Sequence, residues 1–150
     1  MTYQLIYSSE STSPMQADDL DEILEQARTR NAESGITGAL VYVDGVFLQV
    51  LEGKEETVRE LMGRVFKDLR HQTVTVLLET TVAKTAFSDW TMAYVSATPE
   101  QVAEWAGFRG ISNIPTMLSD LRADTQRTMQ LTDGILAVLS SSPPSRDNTA

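Results

Sequence analysis

Gln49 stands in an otherwise apolar hairpin, and its amide is the first group of this chain whose type and position suggest chemistry. The hairpin runs from Gly38 to Gly53, and Asp44-Gly45 between its apolar halves is typical of a two-residue turn. Both faces of the second strand are apolar, so we expect cover on both sides, where an unpartnered amide costs roughly 1 to 3 kcal/mol. Gln49 should therefore have a hydrogen-bonding partner. Rotation of a carboxamide exchanges its donor and acceptor, so that partner can sense or set its orientation. The turn pairs Leu40 with Gln49, Tyr42 with Phe47 and Val43 with Val46.

Other polar or aromatic side chains also stand on apolar elements, and each one alone has an ordinary structural explanation. Tyr7 fits a half-buried strand tyrosine, and Asn31 fits a residue at a helix C-terminus that enters a left-handed turn. Trp90 and Met92 fit core positions, because indole and thioether groups fill gaps well. Gln49 itself could be an internal amide bonded to backbone, and His71 a surface turn residue.

Several kinds of chemistry are excluded by composition. The chain has no cysteine and one histidine, which rules out disulfides and cysteine-ligated metals and disfavours a histidine-rich metal site. It has neither a GxGxxG motif after the first strand nor a Walker A motif. No carboxylates are placed together by the sequence alone. We therefore expect no metal site, assign no catalytic residues and predict that the protein is not an enzyme.

The charge of the chain also limits its partners. The formal net charge is -9, and the 12 Lys and Arg are scattered through the 150 residues. Such a chain is unsuited to duplex nucleic acid or an anionic membrane. The N-terminus lacks the features of a signal peptide, and no apolar run approaches the roughly 20 residues of a membrane helix. We expect a cytoplasmic protein whose partners include neither nucleic acid nor membrane.

The elements that must position these side chains follow from hydrophobic periodicity. Alternation predicts strands on either side of the hairpin, and apolar residues at i, i+3, i+4 and i+7 predict two helices. The resulting order, strand, helix, strand, strand, helix, strand, matches the ferredoxin-like βαββαβ motif, so the predicted class is α+β with an added fifth strand. Besides the hairpin, the predicted elements are strand 3–8, helix 17–30, helix 55–67, strand 73–80 and strand 90–95, with Trp90, Met92 and Tyr94 facing one way.

The C-terminal part should cover the second face of the sheet. Thr98-Pro99-Glu100 is a helix start with proline at its first position, leading into a short helix to about Ala106. A longer helix from about Thr116 to Ser140 has a poorer period but apolar last turns, and it fits a lid or an oligomer contact. We divide the chain into residues 1–97, a helical cap at 98–140, and a tail at 141–150 without apolar content, which we expect to be disordered.

Five motifs, taken in order, resemble those of one family. They are Leu5-Ile-Tyr-Ser8, Asn31 ahead of Gly35-Ile-Thr-Gly38, Phe47-Leu-Gln-Val-Leu-Glu-Gly53, Asp68-Leu-Arg-His71 and Phe87-x-x-Trp90-x-Met92. From about residue 2 to about residue 95 they look like the BLUF family, blue-light sensors that use a non-covalently bound flavin. The remaining organisation looks like the short, stand-alone members of that family, which carry no output enzyme.

The resemblance implies a photochemical pair. A flavin would lie between the two helices that cover the sheet, and residues 1–97 would form the flavin-binding domain. Tyr7 would give the excited flavin an electron and a proton, and Gln49 would be left rotated or tautomerised. The result would be a reversible, red-shifted signalling state. A phenol can deliver an electron and a proton together, and an amide can store the change as an exchanged donor and acceptor.

The resemblance also assigns binding and relay residues. Asn31 would hold the carbonyl and imide edge of the flavin, Arg70 and His71 would meet the ribityl-phosphate side, and Trp90 and Met92 would relay the change to the C-terminal helices. The cofactor would be FAD, with FMN left open because the protein grips the part that both share. A downstream response protein and a homo-oligomer are the implied partners. Lys84 stands where the family often has arginine, and a lysine lacks its bidentate fork, so we do not assign it to the site.

Two other classes of function stay open. A small ferredoxin-like enzyme of the acylphosphatase kind needs an anion loop with arginine and glycine after the first strand, but residues 8–14 contain neither. A plain interaction module of the same fold would lack a functional flavin pocket and would be colourless.

Overall fold

The computed structural model describes residues 2–13, 15–110 and 113–141, and a five-stranded mixed sheet lies at its centre. Of the tail predicted at 141–150, residues 142–150 lie outside the described residues, and Ser141 is the last residue of the last helix. None of the helices in these ranges is long and apolar enough to span a membrane. The elements are β1 Thr2–Ser11, α1 Ala17–Ser34, β2 Thr37–Val43, β3 Val46–Gly53, α2 Glu55–Lys67, β4 His71–Val82, β5 Ala93–Ser96, α3 Pro99–Ala106, α4 Ile114–Ala123 and α5 Thr125–Ser141.

The sheet has the strand order β4-β1-β3-β2-β5. The first four strands are antiparallel to their neighbours, and β5 joins β2 in parallel at one edge. The first six elements therefore form the split βαββαβ motif, which confirms the predicted ferredoxin-like class with an added fifth strand.

The hairpin has the register that its turn predicts. Leu40 pairs with Gln49, and the pairs on either side follow in step to Val43 and Val46. Asp44 and Gly45 have φ values of 50° and 79°. Positive φ at both central residues is the requirement of a type I′ turn, whose twist suits two antiparallel strands.

Both faces of the sheet are covered, as the apolar pattern of β3 predicts. One face packs under α1 and α2, and the other packs under α3, α4 and α5. Successive residues of a strand point to opposite faces, so Gln49 lies on the α1/α2 face and Glu52 on the face of the C-terminal helices. The α1/α2 core includes Leu5, Tyr7, Leu24, Ala27, Leu40, Phe47, Leu51, Val58 and Leu61, and the second core includes Ile6, Val41, Leu48, Val50, Phe87, Val102, Met117, Leu121, Leu131 and Ile135.

The fifth strand begins later than predicted, at Ala93 instead of Trp90. The ladder with β2 starts only where Ala39 pairs with Ala93. The carbonyls of the two preceding residues turn to α1 instead, where Asn31 Nδ2 donates to Thr91 O at 2.7 Å and Arg28 Nε donates to Met92 O at 2.9 Å. These hydrogen bonds tie the segment ahead of β5 to α1.

The prediction that Trp90, Met92 and Tyr94 face one way is wrong for Trp90. Met92 and Tyr94 lie with the α1/α2 core, whereas Trp90 packs in the core of the C-terminal helices, beside Phe87 at a ring-centroid distance of 6.5 Å. Strand alternation does not apply to Trp90, because it precedes the strand.

The predicted long helix at 116–140 is two helices, α4 and α5, separated at Asp124. Asp124 has extended backbone angles, with φ -131° and ψ 95°. Its side chain accepts a hydrogen bond from Arg127 N at 3.1 Å, and its carbonyl accepts one from Thr128 N at 3.1 Å. An aspartate that caps a new helix in this way explains the poor period across the predicted one.

Candidate functional site

A cleft opens between α1 and α2, over β1, β3 and the start of β4. It encloses about 690 Å³ of empty space, counting the part that is open to solvent. Its apolar lining includes Ala27, Leu40 and Phe47. A partly apolar cleft with a few convergent polar groups is typical of a site for a small organic ligand.

Tyr7 and Gln49 meet inside this cleft as direct partners on neighbouring strands. The β1–β3 register places them opposite each other, and both side chains are buried. The Tyr7 hydroxyl donates a hydrogen bond to Gln49 Oε1, and Gln49 Nε2 donates to Met92 Sδ at 3.4 Å. Since a thioether sulfur is only a weak acceptor, the stronger Tyr7 bond sets the orientation of the amide.

The phenol of Tyr7 holds its proton firmly. Burial raises the pKa of Tyr7; the nearby Arg30 cation opposes this shift and the Asp68 carboxylate adds to it. Desolvation disfavours the phenolate, so the hydroxyl remains a hydrogen-bond donor at neutral pH. Loss of its proton requires another change, such as the loss of an electron.

Two side chains at the C-terminal end of α1 have buried polar atoms without partners. Asn31 is 0% exposed, and its Oδ1 has no hydrogen-bond partner among the described residues. Nε of Arg30, which lines the cleft, is likewise unpartnered within the described part of the chain. An unsatisfied buried acceptor and donor cost about 1 to 3 kcal/mol each, so this wall suits a ligand that supplies both a donor and an acceptor.

Arg70 and His71 lie at the rim where β4 begins. Arg70 donates to both carboxylate oxygens of Asp68 at 2.6 to 3.1 Å, and through Nη1 to Gln26 Oε1 at 2.9 Å. Hydrogen bonding between them raises the pKa of Arg70 and lowers the pKa of Asp68. Most of the donors of Arg70 are therefore already used by the protein.

His71 is engaged through both ring nitrogens. Nε2 lies 2.7 Å from the carbonyl of Val65, and Nδ1 lies 2.8 Å from Ser9 Oγ. A carbonyl only accepts, so Nε2 carries a proton and donates, while Nδ1 and the serine hydroxyl share the second hydrogen bond. The ring stands edge-on to Tyr7, with centroids 6.5 Å apart. His71 therefore lines the cleft and links α2, through Val65, to β1, through Ser9.

The sequence analysis missed two cations in the cleft, Arg30 and Arg64. Both stand at helical spacing from apolar residues that face the sheet, since Arg30 is i+3 from Ala27 and Arg64 is i+3 from Leu61. A cation on the apolar stripe of a helix was the available signal. Arg64 forms no hydrogen bond or ion pair with any of the residues that the structure describes.

The predicted site residues are thus only partly brought together. Tyr7, Gln49, Arg70 and His71 line one cleft, Asn31 lies in the helix that forms its wall, and Met92 contacts Gln49. Trp90 lies on the other face of the sheet, where its buried Nε1 has no hydrogen-bond partner among the described residues. Lys84 is exposed and does not line the cleft.

Comparison with protein families matches residues 2–93 to the family described as sensors of blue light using FAD, BLUF. The beta subunit of photoactivated adenylate cyclase from Euglena gracilis is 40% identical over 100 residues, which is 66% of this chain and 11% of that protein. The chain thus spans about a tenth of the length of the curated relatives it matches.

Two solved structures resemble the whole described fold. BlsA in its photo-activated state has a TM-score of 0.78 at 28% identity, covering 91% of this chain and 95% of BlsA. BlrB, a BLUF protein in its dark state, has a TM-score of 0.73 at 26% identity, covering 92% of this chain and 97% of BlrB. The resemblance therefore extends beyond residue 93 into the C-terminal helices.

Proposed function

This chain belongs to the BLUF family of blue-light sensors, and from that premise we propose that its cleft binds one flavin, with Tyr7 as the electron and proton donor and Gln49 as the group that stores the change. The observation that carries the proposal is the buried hydrogen bond from the Tyr7 hydroxyl to Gln49 Oε1 in a partly apolar cleft. A redox-active phenol thereby has a proton acceptor already in contact.

The residues of the cleft fit a flavin. Its flat, apolar ring suits the Leu40 and Phe47 side of the cleft, and its imide N–H suits the unpartnered Oδ1 of Asn31. Its carbonyl groups are acceptors for Arg30 Nε and for the amide of Gln49. The cationic side chains at the cleft suit a phosphate group. We therefore propose Tyr7, Asn31, Gln49, Arg70 and His71 as cofactor-binding residues, and add Arg30 and Arg64 to them.

The photochemical role of Tyr7 follows from its hydrogen bond. A bound flavin that has absorbed blue light supplies an oxidant strong enough to take one electron from a phenol. Tyr7 then loses its proton along the existing bond to Gln49 Oε1, because an oxidised phenol is a much stronger acid than the neutral phenol. When an electron and a proton return to the oxidised Tyr7, Gln49 would be left in one of two forms. It would be either the imidic tautomer, with a proton gained on Oε1 and one given up from Nε2, or an amide rotated about its last bond, with donor and acceptor exchanged.

Rotation of Gln49 would change its contact with Met92. At present Nε2 donates to the sulfur, whereas a rotated amide would turn Oε1 towards it, and oxygen and sulfur would then both be acceptors. The segment before β5 would have to adjust. Trp90 lies two residues before Met92 in that segment and packs against the C-terminal helices. Movement of this backbone would therefore connect the two proposed relay residues, Met92 and Trp90, across the sheet.

The cofactor proposed is FAD, the flavin in the description of the matched family, and FMN remains an alternative because the cleft holds the part that both share. Among the described residues Arg30 and Arg64 form no hydrogen bond, whereas Arg70 is paired with Asp68 and both ring nitrogens of His71 are engaged. The proposal above assigns Arg30 Nε to a flavin carbonyl, which leaves the guanidinium of Arg64. Arg64 is therefore our candidate for the phosphate of the flavin.

Replacing Arg64 with alanine should weaken the binding of FMN about tenfold and leave the binding of riboflavin within about twofold, because only FMN carries the phosphate. Titration of the apoprotein with each flavin measures both affinities. Arg59→Ala is the matched control, since Arg59 lies on the same helix but pairs with Glu55 and Glu79 outside the cleft. Equal losses for both flavins would show that Arg64 supports the ring or the fold instead of the phosphate.

For output, we propose that residues 1–97 bind the flavin and residues 98–140 form a helical cap that passes the change to a response protein. The adenylate cyclase activity named for the Euglena relatives belongs to those proteins, of which this chain matches about a tenth. We propose a relay without enzymatic activity for the cap and homo-oligomer formation for the chain. A cytoplasmic location and the absence of nucleic-acid and membrane partners remain predictions from the sequence.

Visible absorption spectra of the purified protein in the dark, directly after blue light, and after dark recovery test this function. A flavin spectrum with a small, reversible red shift is the expected result. A colourless protein that fails to take up added flavin would refute the photoreceptor function and favour a plain interaction module of the same fold.

A further inference from the structure

Glu52 is a fully buried carboxylate whose partners are all uncharged. It lies on β3 three residues after Gln49, on the face of the C-terminal helices, and is 0% exposed. A buried charge is costly unless hydrogen bonds replace the lost water. The buried side chain of Glu52 therefore requires hydrogen-bond donors to both of its carboxylate oxygens.

Four donors supply these hydrogen bonds, two to each oxygen. Oε1 accepts from Phe87 N at 2.7 Å and from Thr37 Oγ1 at 3.3 Å, and Oε2 accepts from Ala86 N at 2.8 Å and from Gln4 Nε2 at 3.0 Å. Both oxygens of the side chain act only as acceptors in these four bonds. The two shortest bonds come from consecutive backbone N–H groups, so Glu52 fastens the connection between β4 and β5 to the middle of the sheet.

The connection continues from this anchor towards the proposed relay residues. Trp90 N donates to Phe87 O at 3.1 Å, and Gly38 N donates to Trp90 O at 3.2 Å. Two residues later, Met92 Sδ accepts the hydrogen bond from Gln49 Nε2. One end of the segment 86–92 is therefore held by Glu52 on the cap side, and the other end touches Gln49 on the cleft side.

We propose that Glu52 is a positioning residue for signal output: by holding residues 86 and 87, it makes a displacement at Met92 pass into Trp90, β5 and the cap. Without the anchor, the same displacement is taken up by movement of the connection back towards β4. This inference rests on the photochemistry proposed above. It assigns Glu52 no contact with the flavin, because its side chain lies on the other face of the sheet.

The test is Glu52→Gln in the full chain, with the exposed Glu33→Gln on α1 as a control for the change of charge. The new amide places an NH₂ group against other donors, which removes the bonds to one side of the anchor. Two quantities are measured: the red shift under blue light, and the difference in hydrogen–deuterium exchange between light and dark over residues 99–106.

Glu52→Gln should keep the red shift and reduce the exchange difference in α3 about fivefold, whereas Glu33→Gln should behave like the wild type. A wild-type exchange difference in Glu52→Gln would overturn the proposal. If Glu52→Gln does not bind flavin, Ala86→Pro decides, since it removes one of the two backbone donors that Glu52 holds and keeps the carboxylate: a partial loss supports the proposal, and an unchanged difference overturns it. A wild-type protein without any red shift would refute the proposed photochemistry, and this inference with it.

Discussion

Tyr7→Phe should bind flavin normally and lose the long-lived red-shifted state, with a yield at least about 100-fold below that of the wild type. The aromatic ring keeps its place in the α1/α2 core, so the cleft retains its shape. Only the hydroxyl is removed, and with it the bond to Gln49 Oε1. Phenylalanine is much harder to oxidise than a phenol and has no proton to give, so both parts of the proposed transfer are lost.

Flash absorption spectroscopy on the flavin-loaded variant measures this effect, after the dark spectrum has shown that flavin is bound. Tyr3→Phe is the matched control. Tyr3 is buried on the same strand and in the same core, but its hydroxyl bonds to Glu79 outside the cleft. That variant should retain the full red shift. A wild-type yield in Tyr7→Phe would remove Tyr7 as the donor.

The parts of the site that could be predicted from the residues alone are those fixed by local rules. Asp44-Gly45 sets the pairing of Leu40 with Gln49 because a two-residue turn leaves no freedom of register. The pairing of Tyr7 with Gln49 is different, since β1 and β3 are separated by a helix and a strand, and no turn links them. Their proximity was predictable only through the resemblance to a family.

The errors lie where side chains override the backbone pattern. The spacing of Trp90 from Met92 predicts that both face one way on a strand, but β5 begins at Ala93, and the carbonyls of residues 91 and 92 bond to side chains of α1. Asp124 falls inside the helix predicted at 116–140, although it caps a second helix. Such hydrogen bonds depend on tertiary proximity, which periodicity does not encode.

Gln49→Leu should also abolish the red-shifted state while flavin remains bound, and its effect should be as large as that of Tyr7→Phe. Leucine has a similar volume and suits the apolar surroundings of β3. It cannot accept the Tyr7 proton, and it has no donor and acceptor to exchange. The buried Tyr7 hydroxyl loses its partner, which should lower the free energy of unfolding by about 1 to 3 kcal/mol. Chemical denaturation of the apoprotein measures that cost, and the light-minus-dark spectrum measures the photochemistry.

The comparison of the two variants tests where the signal is stored. In Tyr7→Phe the amide of Gln49 is intact and has no proton to receive, whereas in Gln49→Leu the phenol is intact and has no acceptor. Gln72→Leu, which makes the same change at an exposed glutamine of β4, should keep the wild-type red shift. A red-shifted state that forms and persists in Gln49→Leu would place the stored change outside the amide. If that state is lost in both variants while flavin remains bound in each, its formation requires both the Tyr7 phenol and the Gln49 amide. This is the result expected if the proton moves along the single hydrogen bond that joins the two side chains.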